Sequence, residues 1–142
     1  MTRLAPVAQA AEIVEARAIL EEMTGAEMVP VFWPPYGAWD QGLLAVALAA
    51  KFAAVLLWDT TAGDTSARAS PAPLVRSATR GTNGSVVLAH GGPALTPLIL
   101  PTVIAVYRDL GFRFVSVPEL LGLPAGRQRA AGRAWPARPH AL

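Results

Sequence analysis

The chain has 142 residues with 12 Lys/Arg, 10 Asp/Glu and two His, a net charge of +2. Hydrophobic residues make up 53% and charged residues 15%, which excludes a wholly disordered chain. There is no cysteine, so a disulfide scaffold, a thiolate metal site and a cysteine nucleophile are all excluded.

The charge is unevenly spread. Residues 1–123 carry eight Lys/Arg against ten Asp/Glu, and residues 124–142 carry four Arg and no acid. The expected organisation is one folded domain over 1–123 and a basic, flexible tail over 124–142. The most apolar stretch, Leu43 to Trp58, is broken by Lys51 and falls short of the ~20 apolar residues a bilayer span needs. Met1 to Ala11 lacks the pattern of a secretory leader, and no transmembrane segment is expected.

Ala8 to Thr24 reads as an amphipathic helix with Ile13, Ala16, Leu20 and Met23 on one face, stopped by Gly25 in the left-handed region. Met28 to Trp33 reads as a strand, ended by Pro34-Pro35-Tyr36-Gly37 because two prolines cannot continue a ladder. Asp40 can cap a helix over Gln41 to Lys51, and Ala53 to Trp58 reads as a second strand. Asp59 to Ser66 is a polar loop. Ser70-Pro71 is an N-cap followed by proline, opening a helix to about Thr79. Ser85 to Ala89 is a third strand after the turn at 81–84. A helix over Pro97 to Leu110 has a stripe of Ile99, Val103, Val106 and Leu110. Gly111 ends it, Phe112 to Val117 is a fourth strand, and Pro118 to Gly122 a closing turn. This alternation implies an α/β fold, parallel strands joined by crossover helices.

In such folds the chemistry gathers in the loops after the strands. Here those loops hold Trp33-Pro34-Pro35-Tyr36-Gly37, Trp58 to Asp64, and Leu88-Ala89-His90-Gly91-Gly92. His90 follows an apolar strand directly. It is either a general acid or base, since histidine titrates near working pH, or a half-buried residue that ties down its loop. Asp64 is either its partner, keeping it protonated for donation to a leaving group, or a loop aspartate. The Tyr36 backbone N–H is either a donor to a developing oxyanion or part of a rigid turn. No metal-ligand spacing, phosphate loop or nucleophile elbow is present. Four arginines in the tail are weak evidence for nucleic-acid binding.

Taken together, these loops resemble the polysaccharide deacetylases, the NodB homology domain of family 4 carbohydrate esterases, over about residues 10–122. Phe32-Trp33-Pro34-Pro35-Tyr36-Gly37 is similar to the family's F-R-P-P-Y-G motif. Trp58 to Thr65 is similar to its W-D-V-D-S-x-D-W segment, and Val86 to His90 to its I-V-L-x-H motif. Leu110 to Val117 resembles the closing helix and strand, and Glu12 to Gly25 the helix before the proline motif. The resemblance implies the C-terminal half of a distorted (β/α) barrel, whose complete form removes acetyl groups from chitin, peptidoglycan or xylan with zinc or another divalent metal.

The resemblance implies that His90 is the general acid, Asp64 the acid that tunes it, Leu88 a wall of the acetyl pocket and Tyr36 the oxyanion donor. Pro35 and Trp33 complete the substrate-facing turn. The family's T-F-D-D-G and H-[ST]-x-x-H motifs, which carry the base and the metal ligands, are not found in these 142 residues. Trp33 stands for the motif arginine, and Thr65 for a tryptophan. The expectation is therefore a deacetylase-like segment that binds no metal and is inactive alone. Acetylated polysaccharide is its partner class, with self-association or a missing N-terminal half. The alternatives are a non-catalytic glycan- or partner-binding remnant and one half of a split enzyme. The family usually works outside the cell or at its envelope, and the sequence leaves the location open.

Overall fold

The computed structural model describes residues 1–124; the tail expected over 124–142 lies, except for Pro124, outside the described residues. The described residues form two compact units, Met1–Leu56 with Leu121 to Pro124, and Leu57–Leu120. Each contains one β-α-β element with parallel strands, so the expected mixture of helices and parallel strands is present. Each sheet has two strands.

In the first unit, α1 runs Pro6–Thr24, β1 Val31–Phe32, α2 Gln41–Ala49 and β2 Ala54–Val55. Proline in the first turn of α1 costs nothing, because its missing N–H would be unpaired there. Gly25 closes the helix at φ 65°, donating its N–H to the Glu21 carbonyl. The inward face of α1 corrects the expectation. Gln9 and Ile13 are buried, while Ala16, Leu20 and Met23 are exposed. The buried row continues at spacing i, i+4 to the half-buried Arg17, whose guanidinium lies 4.0 Å above the Phe52 ring. A long cationic side chain thus occupies a position that hydrophobicity assigns elsewhere.

Asp40 caps α2 as expected, its Oδ1 accepting from Leu43 N–H at 2.7 Å. The fully buried Leu43 and Ala47, one turn apart on α2, meet Ile13 and Phe52, with Phe32 and Val55 of the sheet against them. Phe32 and Phe52 meet edge to face at 5.7 Å. β1 and β2 align Val31 with Ala54 and Phe32 with Val55. Both strands are shorter than the apolar runs that suggest them. In parallel pairing only residues facing a partner backbone join the ladder, and flanking bonds such as Leu56 N–H to Phe32 carbonyl extend it irregularly.

In the second unit, β3 is Thr60–Thr61, α3 Pro71–Ala78, β4 Val87–Leu88, α4 Thr96–Asp109 and α5 Val117–Leu120. β3 falls in the segment expected to be a polar loop. Threonine is β-branched and suits a strand, and Thr60 is buried. The strand expected over 112–117 is not formed. Instead Phe112 and Phe114 turn their rings edge-on to Tyr107, at 5.5 and 5.9 Å. The stripe of α4 also shifts: Ile99, Val103 and Tyr107 are buried and Leu110 is exposed. Tyr107 wins the inward position because its hydroxyl is satisfied there, donating to the Ala78 carbonyl at 2.8 Å and accepting from Gly81 N–H at 2.9 Å. Ala62, Leu74 and Ala78 complete this core. Ser70 precedes α3 but makes no side-chain cap bond. No helix among the described residues is long and apolar enough to cross a membrane.

Candidate functional site

The site is built on the second unit, from the pairing of β3 with β4. Thr61 is in register with Leu88, and the strands are parallel, so the segments that follow both residues leave the same end of the sheet. Three residues past Thr61 stands Asp64, after Gly63 at φ 72°, a left-handed turn that glycine takes without strain. Two residues past Leu88 stands His90. The short strands thus bring together residues 26 apart in sequence: His90 Nδ1 lies 2.8 Å from Asp64 Oδ1. The His90 backbone N–H also donates to Asp64 Oδ2, at 2.6 Å.

A third donor comes from a residue that the sequence reading missed. Thr96, the first residue of α4, is buried and its hydroxyl donates to Asp64 Oδ2 at 2.7 Å. The sequence signal there was a hydroxyl residue directly before Pro97, which reads as a helix cap. Nothing in the local sequence says that the hydroxyl is turned toward a residue 32 positions earlier.

The Asp64 side chain is 0% exposed. Burial alone would push its carboxyl up. The His90 backbone N–H, the Thr96 hydroxyl and the His90 ring outweigh burial and hold its pKa down to about 2. Asp64 is therefore an anion at neutral pH and can only accept hydrogen bonds, so Nδ1 is the nitrogen of His90 that carries a proton toward it. The His90 side chain is 44% exposed, and Nε2 is the ring nitrogen that Asp64 does not engage. Such a pair can hold an imidazolium beside a fixed negative charge and release a proton from Nε2.

Asp59 does different work. Its carboxylate accepts from the Ser85 hydroxyl at 2.7 Å and from Val86 N–H at 3.0 Å, and these bonds, Ser85 foremost, lower its pKa. It ties the entry of β3 to that of β4, a turn role. Leu88 lies at the end of β4, half-buried.

Pro35, Tyr36 and Trp33 belong to the first unit. Pro34 is fully buried and anchors a single 3-10 turn over Pro35–Gly37. Tyr36 is held at φ 58°, a left-handed conformation that costs a non-glycine residue about 1–2 kcal/mol, and its side chain is 100% exposed. Trp33 and Trp39 are also largely exposed.

The described residues do not fit a divalent metal. Both oxygens of Asp64 and Nδ1 of His90 are engaged with one another or with Thr96. No group of three or more His, Cys, Asp or Glu able to hold a metal occurs among the described residues.

No known family model and no curated protein matches the chain. Solved structures do. A family 4 carbohydrate esterase from Streptomyces lividans, in complex with acetate, is 27% identical with a TM-score of 0.71, the match covering 78% of this chain and 56% of that one. A mutant of the peptidoglycan deacetylase PdaC from Bacillus subtilis is 24% identical at a TM-score of 0.72, over 85% of this chain and 57% of that one. A family 4 pseudoenzyme from Bacillus anthracis is 22% identical at a TM-score of 0.75, over 84% and 41%. The chain thus spans about half the length of the structures it matches. In fold, this chain is a partial structural relative of the family 4 carbohydrate esterases and peptidoglycan deacetylases.

Proposed function

We propose that this segment supplies the proton-donating side of a site that hydrolyses acetyl groups from acetylated sugars, of the chitin, peptidoglycan or xylan type. The observation that carries this reading is the buried Asp64 carboxylate bonded to both the backbone and the ring of His90. In this role His90 Nε2–H gives its proton to the leaving nitrogen or oxygen as the bond to the acetyl carbon breaks. Asp64 stabilises the imidazolium and keeps the ring turned outward. Leu88, in the same unit, lines the acetyl pocket; taken by itself, the first unit's turn at Trp33, Pro35 and Tyr36 offers the Tyr36 N–H as a donor of the kind that holds an oxyanion.

The complete family domain uses a base and zinc or another divalent metal, and the described residues offer no group of three or more ligands for such an ion. The 142-residue chain is proposed to be inactive alone. Acetate release from acetylated chito-oligosaccharides by the purified chain, with or without added zinc, would overturn that part. The donor role is tested by fusing the chain behind the metal-bearing half of a family 4 esterase. The fusion should release acetate, and His90→Ala should abolish the release; a folded fusion equally active without His90 refutes the role. Activity restored by a separately expressed half would mark a split enzyme.

A second reading, a non-catalytic glycan-binding segment, is favoured by the three exposed aromatic rings of Trp33, Tyr36 and Trp39 within seven positions. The likeness to a pseudoenzyme agrees with it. Retention on insoluble chitin or peptidoglycan, lost on Tyr36→Ala or Trp39→Ala, would support it. The exposed Ile19, Leu20, Met23, Leu98 and Phe114 support self-association or a covering partner in either reading.

A further inference from the structure

We propose that Thr96 is a positioning residue that fixes which ring nitrogen of His90 carries the proton, acting through Asp64. The inference deepens the proton-donor reading and rests on it.

The geometry assigns the role. Oδ2 of Asp64 takes two donors, the His90 backbone N–H at 2.6 Å and the Thr96 hydroxyl at 2.7 Å, while Oδ1 faces His90 Nδ1 at 2.8 Å. The two donors on Oδ2 come from different segments, the turn after β4 and the first turn of α4. A carboxylate held at one oxygen by a single donor can still rotate about its Cβ–Cγ bond. A second donor from another direction removes that freedom and leaves Oδ1 aimed at the imidazole. Thr96 is buried, and Asp64 Oδ2 is the acceptor its hydroxyl meets.

The same hydroxyl is lost to helix capping. Leu95 holds the cap position of α4 and Thr96 is its first residue, so the hydroxyl takes no part in capping and faces Asp64 instead. An aligned carboxylate accepts from Nδ1–H only. Neutral His90 then presents a bare Nε2, and protonated His90 presents Nε2–H as its outward proton.

The test is the tautomer of neutral His90, read from long-range proton–nitrogen spectra of the 15N-labelled 142-residue chain. His140→Gln assigns the signals. Wild type and Thr96→Ser should show one form, with the proton on Nδ1. Thr96→Val, which keeps the shape and removes the donor, should show both forms, with the preference reduced at least tenfold. A Thr96→Val chain that retains the single Nδ1–H form overturns the proposal. It leaves the donor reading standing, because that is decided by acetate release from the His90→Ala fusion. Should Thr96→Val fail to fold by circular dichroism, the wild-type Thr96 hydroxyl proton decides. A slowly exchanging resonance beside Asp64 supports the role, and exchange at the bulk rate overturns it.

Discussion

The buried Asp64 anion makes a sharp prediction about acid stability. Its carboxyl pKa is held at about 2, against 3.8 for an ordinary aspartate. At 1.36 kcal/mol per unit this difference corresponds to about 2 kcal/mol of folding stability at neutral pH. The folded-state value is the depressed one, so the contribution is fully present above the unfolded value near 4. It is lost as pH falls from there through about 2. Asp64→Asn isolates the effect. The amide oxygen can still take the His90 backbone N–H and the Thr96 hydroxyl, but the negative charge is lost and the NH2 pairs with His90 Nδ1 only in the tautomer that carries its proton on Nε2. At pH 7 the variant should therefore be less stable by about 2–3 kcal/mol. Urea unfolding at pH 7, 4 and 2 measures the gap between the two proteins. With urea slopes of about 1–3 kcal/mol/M, the midpoints should stand roughly 1 M apart at pH 7 and draw together at pH 2. Asp59 and the other carboxylates titrate in both proteins and cancel in the difference. A gap that stays constant from pH 7 to 2 would show that Asp64 is not held as a buried anion.

Other outcomes follow from the two cores and the strained turn. Leu43→Ala, at a fully buried position facing Ile13 and Phe52, should cost about 3–5 kcal/mol in denaturant unfolding; a cost under 1 would mean that the first unit does not pack as described. Tyr107→Phe removes a hydroxyl that donates to Ala78 and accepts from Gly81, and a loss of about 1–3 kcal/mol is expected by thermal or urea unfolding. Tyr36→Gly relieves a left-handed conformation at an exposed position. Stability should hold within about 1 kcal/mol while retention on insoluble glycan falls, and a large destabilisation would assign the Tyr36 ring a packing role.

Much of this organisation is legible in the residues. Gly25 and Asp40 mark helix ends because backbone conformation and capping are local matters, and both behave as their types require. The pairing partner of a strand is not local. Thr60 and Thr61 look like loop because polar residues surround them, and they become β3 only because Val87 and Leu88 lie alongside. Phe112 to Val117 looks like strand by composition, but Tyr107 offers its aromatic residues a ring partner. The inward face of α1 was misjudged for a related reason. Hydrophobicity favours Leu20 and Met23, whereas Arg17 can lay its stem and guanidinium over Phe52 from the other side. At the candidate site the residue types and motif order pointed to Asp64 and His90. Thr96 stayed hidden because a hydroxyl before a helical proline has an adequate local explanation.

The bonds that shape the candidate site also tie its three segments together, and this constrains how the site can be probed. A carboxylate removed from water is costly unless its lone pairs are taken up, and Asp64 draws its donors from the turn after β4 and from the first turn of α4. Those bonds tie three separate segments at one end of the β3–β4 pair. Deleting the carboxylate removes both the orienting charge and the tie, so a lost activity in Asp64→Ala would not separate chemistry from folding. Substitutions that keep the side chain's size and part of its hydrogen bonding, such as Asp64→Asn and Thr96→Ser, disturb the tie less than Asp64→Ala does. The His90 side chain is 44% exposed, and only its Nδ1 enters the tie. A histidine whose only task was to hold its loop would need its backbone N–H and Nδ1 alone. The proposed proton donor would need Nε2 as well, and the 44% exposure of the side chain leaves room for it.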